Sequence, residues 1–323
     1  MRLSILAWPL LTCALLGCGA RADIDLGPGA EQDSSGQGAG GPGPGPGPDP
    51  DPDPDPDPDP DPEPDPIPDP EPPLQCNDTG VPIYALTSSQ ELYRFWPDQH
   101  TMEKVGDISC VDDLSGSPNT MTISRDGYML VNYITHDAQG AMVGSIHRVA
   151  LDDLSCAPAA ITLPPEASQV AMSFLREGQG ERLIILGMRD TNGNPSPVGL
   201  LEVNVVTGAL TPIGQVGAPF TGMDADIRAT GDGRMFGFFR TTPMEVAEIS
   251  LTSGSILGSF SLAGLAQPSS WSMASWSGDF YMFTADPQGS RISFFRPSDG
   301  AFVRDYFDTG LSVVGADALT CLP

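Results

Sequence analysis

The chain has 323 residues and a formal net charge of −27, with 42 Asp and Glu against 15 Lys and Arg, three histidines and six cysteines. So acidic a surface repels nucleic acid and anionic lipid headgroups, which excludes both as partners. No two cysteines have the C-x-x-C spacing of a zinc or redox site, and beyond the first residues no apolar run approaches the roughly 18 needed to span a bilayer.

In chain order, residues 1–17 carry Arg2, an apolar stretch over 3–16 and a closing Gly17, the pattern of an export signal too short for a transmembrane helix. Leu15-Leu16-Gly17-Cys18 resembles the lipobox of bacterial lipoproteins. That resemblance implies a diacylglycerol on the Cys18 thiol, cleavage just before it and acylation (palmitate or similar) of the new amine. Two or three acyl chains hold a protein on a membrane durably, since each buried CH₂ contributes about 0.8 kcal/mol. Gly19, rather than Asp, follows the cysteine, which by analogy directs such a protein to the outer membrane.

Residues 18–73 form a linker. Positions 19–40 are rich in Gly, Ala, Ser and Gln and should be flexible; 41–48 repeat Gly-Pro and 49–66 repeat Asp-Pro, broken only by Glu63. Proline at every second position removes half the amide donors and drives each preceding residue to extended conformations. Helix and sheet are thereby excluded and polyproline II remains, so residues 41–73 reach roughly 100 Å at about 3.1 Å per residue. Carboxylates on such a rod diverge instead of converging on a calcium ion, which leaves the tract a spacer.

Residues 74–323 read as an all-β domain. Five segments share an apolar-rich stretch at matching positions: 91–95, 145–149, 199–203, 245–249 and 291–295. Their second residues, Leu92, Ile146, Leu200, Val246 and Ile292, are 54, 54, 46 and 46 apart. In the last three, Gly208, Gly254 and Gly300 follow in turns suited to hairpins. Upstream of each stretch lies an apolar run (129–133, 183–186, 235–239, 280–283), and before that another candidate strand (121–124, 170–174, 223–227, 271–275). A fourth strand follows the hairpin, as at 210–216. Four short antiparallel strands per unit at this period predict a β-propeller. The first unit starts at its second strand, 83–86, and a spare strand, 313–319, ends the chain. Five blades close if that C-terminal strand becomes the inner strand of the first. Units containing Leu-Tyr-Arg-Phe, then Val-Gly, and beginning Ser-Arg-Asp-Gly resemble the loosely repeated blades of uncharacterised bacterial lipoproteins with tethered propellers. The resemblance implies this fold and no activity.

Ring closure also places cysteines. Cys76 and Cys321 fall where blade one lacks its first hairpin, which predicts a Cys76–Cys321 disulfide; by elimination Cys110 pairs with Cys156, in neighbouring blades. For chemistry, the candidate acids are those expected where inner strands open into the channel: Asp224, Asp226 and Asp317. Asp190-Thr-Asn-Gly-Asn194 starts like a calcium loop, but Pro195 stands where glycine is required, so it reads as a hairpin tip. His100, His136 and His147 are isolated, and Trp96, Trp271 and Trp276 suit either inter-blade core or sugar stacking. No cofactor or metal is called for. The expectation is an envelope lipoprotein whose non-catalytic propeller binds a protein or glycan; the alternative is a carbohydrate hydrolase or lyase using the three acids.

Overall fold

In a computed structural model, which describes residues 81–111, 116–178, 180–265 and 267–319, the described chain is almost entirely β. Cys18, the linker, Cys76 and Cys321 lie outside the described residues.

Five four-stranded antiparallel sheets form the blades of a propeller. Blade two contains β4 (Gly116–Ser124), β5 (Tyr128–His136), β6 (Met142–Ala150) and β7 (Cys156–Pro158). Blade three contains β8 (Gln169–Glu177), β9 (Gly180–Arg189), β10 (Leu200–Val203) and β11 (Leu210–Gly214). Blade four contains β12 (Ala225–Ala229), β13 (Met235–Phe239), β14 (Glu245–Ile249) and β15 (Ile256–Ser261). Blade five contains β16 (Ser270–Trp276), β17 (Asp279–Asp286), β18 (Gly289–Arg296) and β19 (Ala301–Asp308). Blade one joins both ends of the domain: β1 (Ile83–Thr87), β2 (Glu91–Trp96) and β3 (Thr101–Asp107) take β20 (Val313–Ala318) as their inner strand. Ile83 pairs with Ala318, Tyr84 with Asp317 and Ala85 with Ala316, so the ring closes as the spare strand requires.

The blades cohere because strands such as β9 and β13 carry two apolar faces. In β9, Leu183 and Ile185 pack into the cluster shared with blade two, while Ile184 and Leu186 pack into the cluster shared with blade four. In β13, Met235 and Phe239 face blade three, whereas Phe236 and Phe238 face blade five. Side chains alternate across a strand, so a strand buried on both sides reads as a continuous apolar run. Each of the five seams between neighbouring blades has its own cluster. Gly254 shows why a hairpin glycine is required: its φ is +76°, and a Cβ there would sit 2.2 Å from the Gln215 carbonyl oxygen of the neighbouring blade.

Cys110 and Cys156 form a disulfide with their Cα atoms 5.3 Å apart, as expected from the sequence. It ties the connection leaving blade one to the outermost strand of blade two, and both half-cystines pack on the seam cluster there. With the cysteines 46 positions apart, the chain-entropy estimate gives about 4 kcal/mol as an upper figure. Replacing Cys110 and Cys156 together by serine is expected to lower the unfolding free energy by about 2–4 kcal/mol, read from urea denaturation. A loss below about 1 kcal/mol would show that the denatured chain is already compact across this loop.

Candidate functional site

The five inner strands, β4, β8, β12, β16 and β20, surround the axis. Along them polar or small residues alternate with apolar ones, and the polar side chains form a closed circuit of hydrogen bonds. Thr122 Oγ1 accepts from the Phe174 amide at 3.0 Å, and Ser173 Oγ from the Ala229 amide at 2.8 Å. Asp226 Oδ2 accepts from the Met273 amide at 2.8 Å, and Ser272 Oγ from the Ala316 amide at 2.8 Å. Asp317 Oδ2 accepts from the Ile123 amide at 2.9 Å, which returns the circuit to β4. Each inner strand thus holds the next by a side chain, since neighbouring inner strands are not hydrogen-bonded through their backbones.

Arg228 fills the axis and is fully buried. Its guanidinium donates to the carbonyls of Met121 (2.9 Å), Ala316 (2.6 and 2.9 Å), Ile227 (2.7 Å) and Met172, which belong to four inner strands. Asp226 lies 3.3 Å and Asp317 3.4 Å from its nitrogens. A buried charge requires this degree of compensation.

Asp226 and Asp317 are therefore brought together, but around a cation and not around open solvent: they are 4 % and 5 % exposed. Asp224 stands apart. Strand β12 begins at Ala225, two residues later than the 223–227 expected from sequence, and Asp224 pairs with Arg189 at the end of β9. Ile123 and Thr122 hold Asp317, while Met273, Ser272 and Thr120 hold Asp226.

Burial pushes both carboxyl groups above the ordinary aspartate range, against the opposing pull of Arg228 and of the amides. Charge counting gives the same sign, because two carboxylates around one guanidinium leave one negative charge uncompensated. A group whose pKa rises on folding adds stability below its unfolded pKa and loses it as pH rises through the folded value. The difference in unfolding free energy between wild type and a D226N/D317N variant should therefore shift against wild type as pH rises from about 4 to about 7. Denaturation midpoints at several pH values check this; a flat or opposite trend refutes the upward shift.

On the face where the inner strands begin, a cavity of about 120 Å³ opens at the axis. It is lined by Asn119, Thr120, Gln169, Ser269, Ser270 and Trp271 and reaches Asp226, the single acid among its lining residues. Asn119 is fixed by hydrogen bonds to Asn132 Oδ1 and the Val170 carbonyl, and the Trp271 indole donates to the Phe238 carbonyl at 3.1 Å. Arg240 stacks on the outer part of Trp271, 5.3 Å from the ring centroid. Trp276 instead donates to the Val81 carbonyl and packs on the seam between blades five and one.

The remaining sequence candidates are dispersed. Asp190 accepts from the amides of Asn192 and Asn194 at 2.8 Å each, which makes 190–194 a hairpin tip. His100 contacts the Tyr306 hydroxyl, and His136 is exposed. His147 Nδ1 is 3.9 Å from Cys156 Sγ, and burial lowers its pKa. Cys110, His147 and Cys156 place ligand atoms within 4.8 Å of one another, but the sulfurs are bonded together and offer no thiolate. Arg228 and the Thr122–Ser173–Ser272 circuit were missed in the sequence, although an arginine two residues after an acid inside an apolar run was a signal for them.

No protein-family profile and no curated protein matches the chain. Among solved structures it is similar to TolB from Acinetobacter baumannii, at 11 % identity and a TM-score of 0.42 over 70 % of this chain; it spans only about half, 53 %, of that one. It is similar to a chain of a nidogen/laminin complex at 9 % identity and a TM-score of 0.44, over 74 % of this chain and 98 % of that one. A gluconolactonase from Xanthomonas campestris matches at 14 % identity and a TM-score of 0.40, over 63 % and 68 % of the two chains. At such values the likeness does not extend to what these proteins bind or catalyse.

Proposed function

We propose that this is an outer-membrane lipoprotein in which acylated Cys18 and an extended acidic linker present a non-catalytic propeller, and that the propeller binds a protein or glycan through the face bearing the axial cavity. One observation carries the non-catalytic reading: the channel acids Asp226 and Asp317 are engaged by Arg228 and by strand amides, so neither is poised to move a proton or attack a substrate. Retaining and inverting glycosidases need two carboxyl groups flanking a substrate, at roughly 5–10 Å. A reach of roughly 100 Å, expected of the linker from its proline pattern, would suit a role beyond a crowded membrane surface.

The test has two parts. Cys18→Ala should abolish labelled palmitate incorporation and release the protein from the membrane fraction; retention of label at wild-type level refutes the anchor. A glycan array and a cross-linked pull-down from the native envelope should identify a ligand retained by the intact chain. Turnover of any glycan by wild type that is lost in D226N would instead establish the enzyme.

A further inference from the structure

The hydrogen-bond inventory of the axial cavity constrains its ligand. Both amide hydrogens of Asn119 are committed, to Asn132 Oδ1 at 3.1 Å and to the Val170 carbonyl at 2.9 Å. The Trp271 N–H is committed to Phe238. Thr120 donates to Asp226 Oδ1 at 3.4 Å, Ser269 to the Ala285 carbonyl at 3.2 Å and Ser270 to the Val313 carbonyl at 2.9 Å. Gln169 donates to Asn119 Oδ1 at 2.6 Å, which leaves one amide hydrogen as the remaining side-chain donor of the lining. The acceptors are in surplus. No described donor is directed at the oxygens of Thr120, Ser269 and Ser270 or at the Gln169 side-chain carbonyl. Beneath them lie two carboxyl groups, Asp226 and Asp317, around the single guanidinium of Arg228.

A lining whose side-chain oxygens outnumber its uncommitted side-chain donors, above two buried carboxyl groups, favours a ligand that brings donors over carboxylates, phosphates and sulfates, which bring acceptors alone. A neutral polyol fits poorly, because each hydroxyl also needs donors. A primary ammonium has three donors and no acceptor. Calcium requires six to eight converging oxygens, mostly carboxylate or carbonyl, which three hydroxyls and one amide do not provide. Resting on the binding role proposed above, we infer that the axial cavity is a seat for a protonated primary amine, supplied either by an amino sugar or by a lysine side chain of a protein partner. Trp271, anchored by its indole N–H, forms a rigid wall beside it.

Calorimetric titration of the full chain, below neutral pH, distinguishes the sources with two isosteric pairs: glucosamine against glucose, and n-butylammonium against n-butanol. The amine of at least one pair should saturate, and bind about tenfold or more tighter than its neutral partner, the difference expected between charged and neutral hydrogen bonds. Preference for glucosamine assigns an amino sugar; preference for butylammonium assigns a lysine side chain. Gln169→Lys, which plants an ammonium at the mouth, should abolish amine binding while thermal unfolding stays at the wild-type temperature. Equal binding of amine and neutral partner, no saturation by either amine, or unchanged amine binding in Gln169→Lys overturns the inference. If Gln169→Lys still captures the envelope ligand, the binding role stands and the cavity is not its seat; if amines saturate but nothing is captured, the seat stands and the wider role fails.

Discussion

Arg228→Met is expected to destabilise the domain by about 3–5 kcal/mol or more, the range seen when one partner of a buried ion pair is removed. The substitution preserves side-chain length and apolar stem but deletes every donor on the axis. Carbonyls of Met121, Met172, Ile227 and Ala316 then lose this partner in a buried site, and the carboxyl groups of Asp226 and Asp317 lose their cation and keep only strand amides and hydroxyls. Each abandoned buried acceptor costs about 1–3 kcal/mol, and more where it is charged. Arg228→Lys should recover only part of the loss, because one ammonium with three donors cannot serve four strands and two carboxylates. The measurement is the urea midpoint followed by far-ultraviolet circular dichroism and tryptophan fluorescence together. A loss for Arg228→Met below about 1 kcal/mol would mean that the axis admits water and that the guanidinium is not what joins the inner strands.

The architecture was legible because the physics behind it is local or periodic. Strands buried on both faces leave runs such as Leu183–Leu186, and hairpins demanding positive φ leave Gly208, Gly254 and Gly300 at constant offsets. Blade closure was legible from one unpaired strand at each end. The axis was not. Residues 223–229 alternate Met, Asp, Ala, Asp, Ile, Arg, Ala, and a period of two is unchanged by sliding the strand two residues. The expected strand therefore included Asp224 and excluded Arg228, whereas β12 does the reverse. What fixes the true start is the pairing of Asp224 with Arg189, 35 residues away, and no local pattern carries that contact. Asp226 and Asp317 stand on the inner strands β12 and β20. Their engagement with a cation followed from a residue whose charge has no meaning until five strands converge. Cavity lining was partly legible: Trp271 was a candidate for stacking, but Asn119 takes its orientation from Asn132 in its own blade and from Val170 across the seam, and Gln169 takes its own from Asn119 across that seam.

Deleting residues 313–323 should abolish cooperative folding and not merely trim a terminus. The lost strand β20 is the inner strand of blade one, and its Val313, Ala316 and Ala318 belong to the apolar cluster that joins blades five and one. Asp317 and the Ala316 amide are two links of the axial circuit, and the Ala316 carbonyl takes two of the Arg228 hydrogen bonds. Without them β1 presents a bare edge to the channel, Arg228 keeps only part of its compensation, and the exposed edge invites strand exchange between molecules. The truncated chain should elute as aggregate or as an expanded species, with near-ultraviolet dichroism lost. A milder version separates the strand's presence from its fit. A Cβ on Gly315 would lie 2.8 Å from the Met121 amide nitrogen and 3.2 Å from the Thr120 carbonyl carbon, and both of those are backbone atoms. Gly315→Val should therefore hold the strand off blade two and cost about 3 kcal/mol, at the upper end of overpacking penalties. Supplying a synthetic peptide of residues 311–323 to the truncated domain should restore the folded dichroism in a saturable manner. A truncated domain that remains monomeric, with an unchanged urea midpoint, would show that the seams of the other four blades hold the ring without its closing strand.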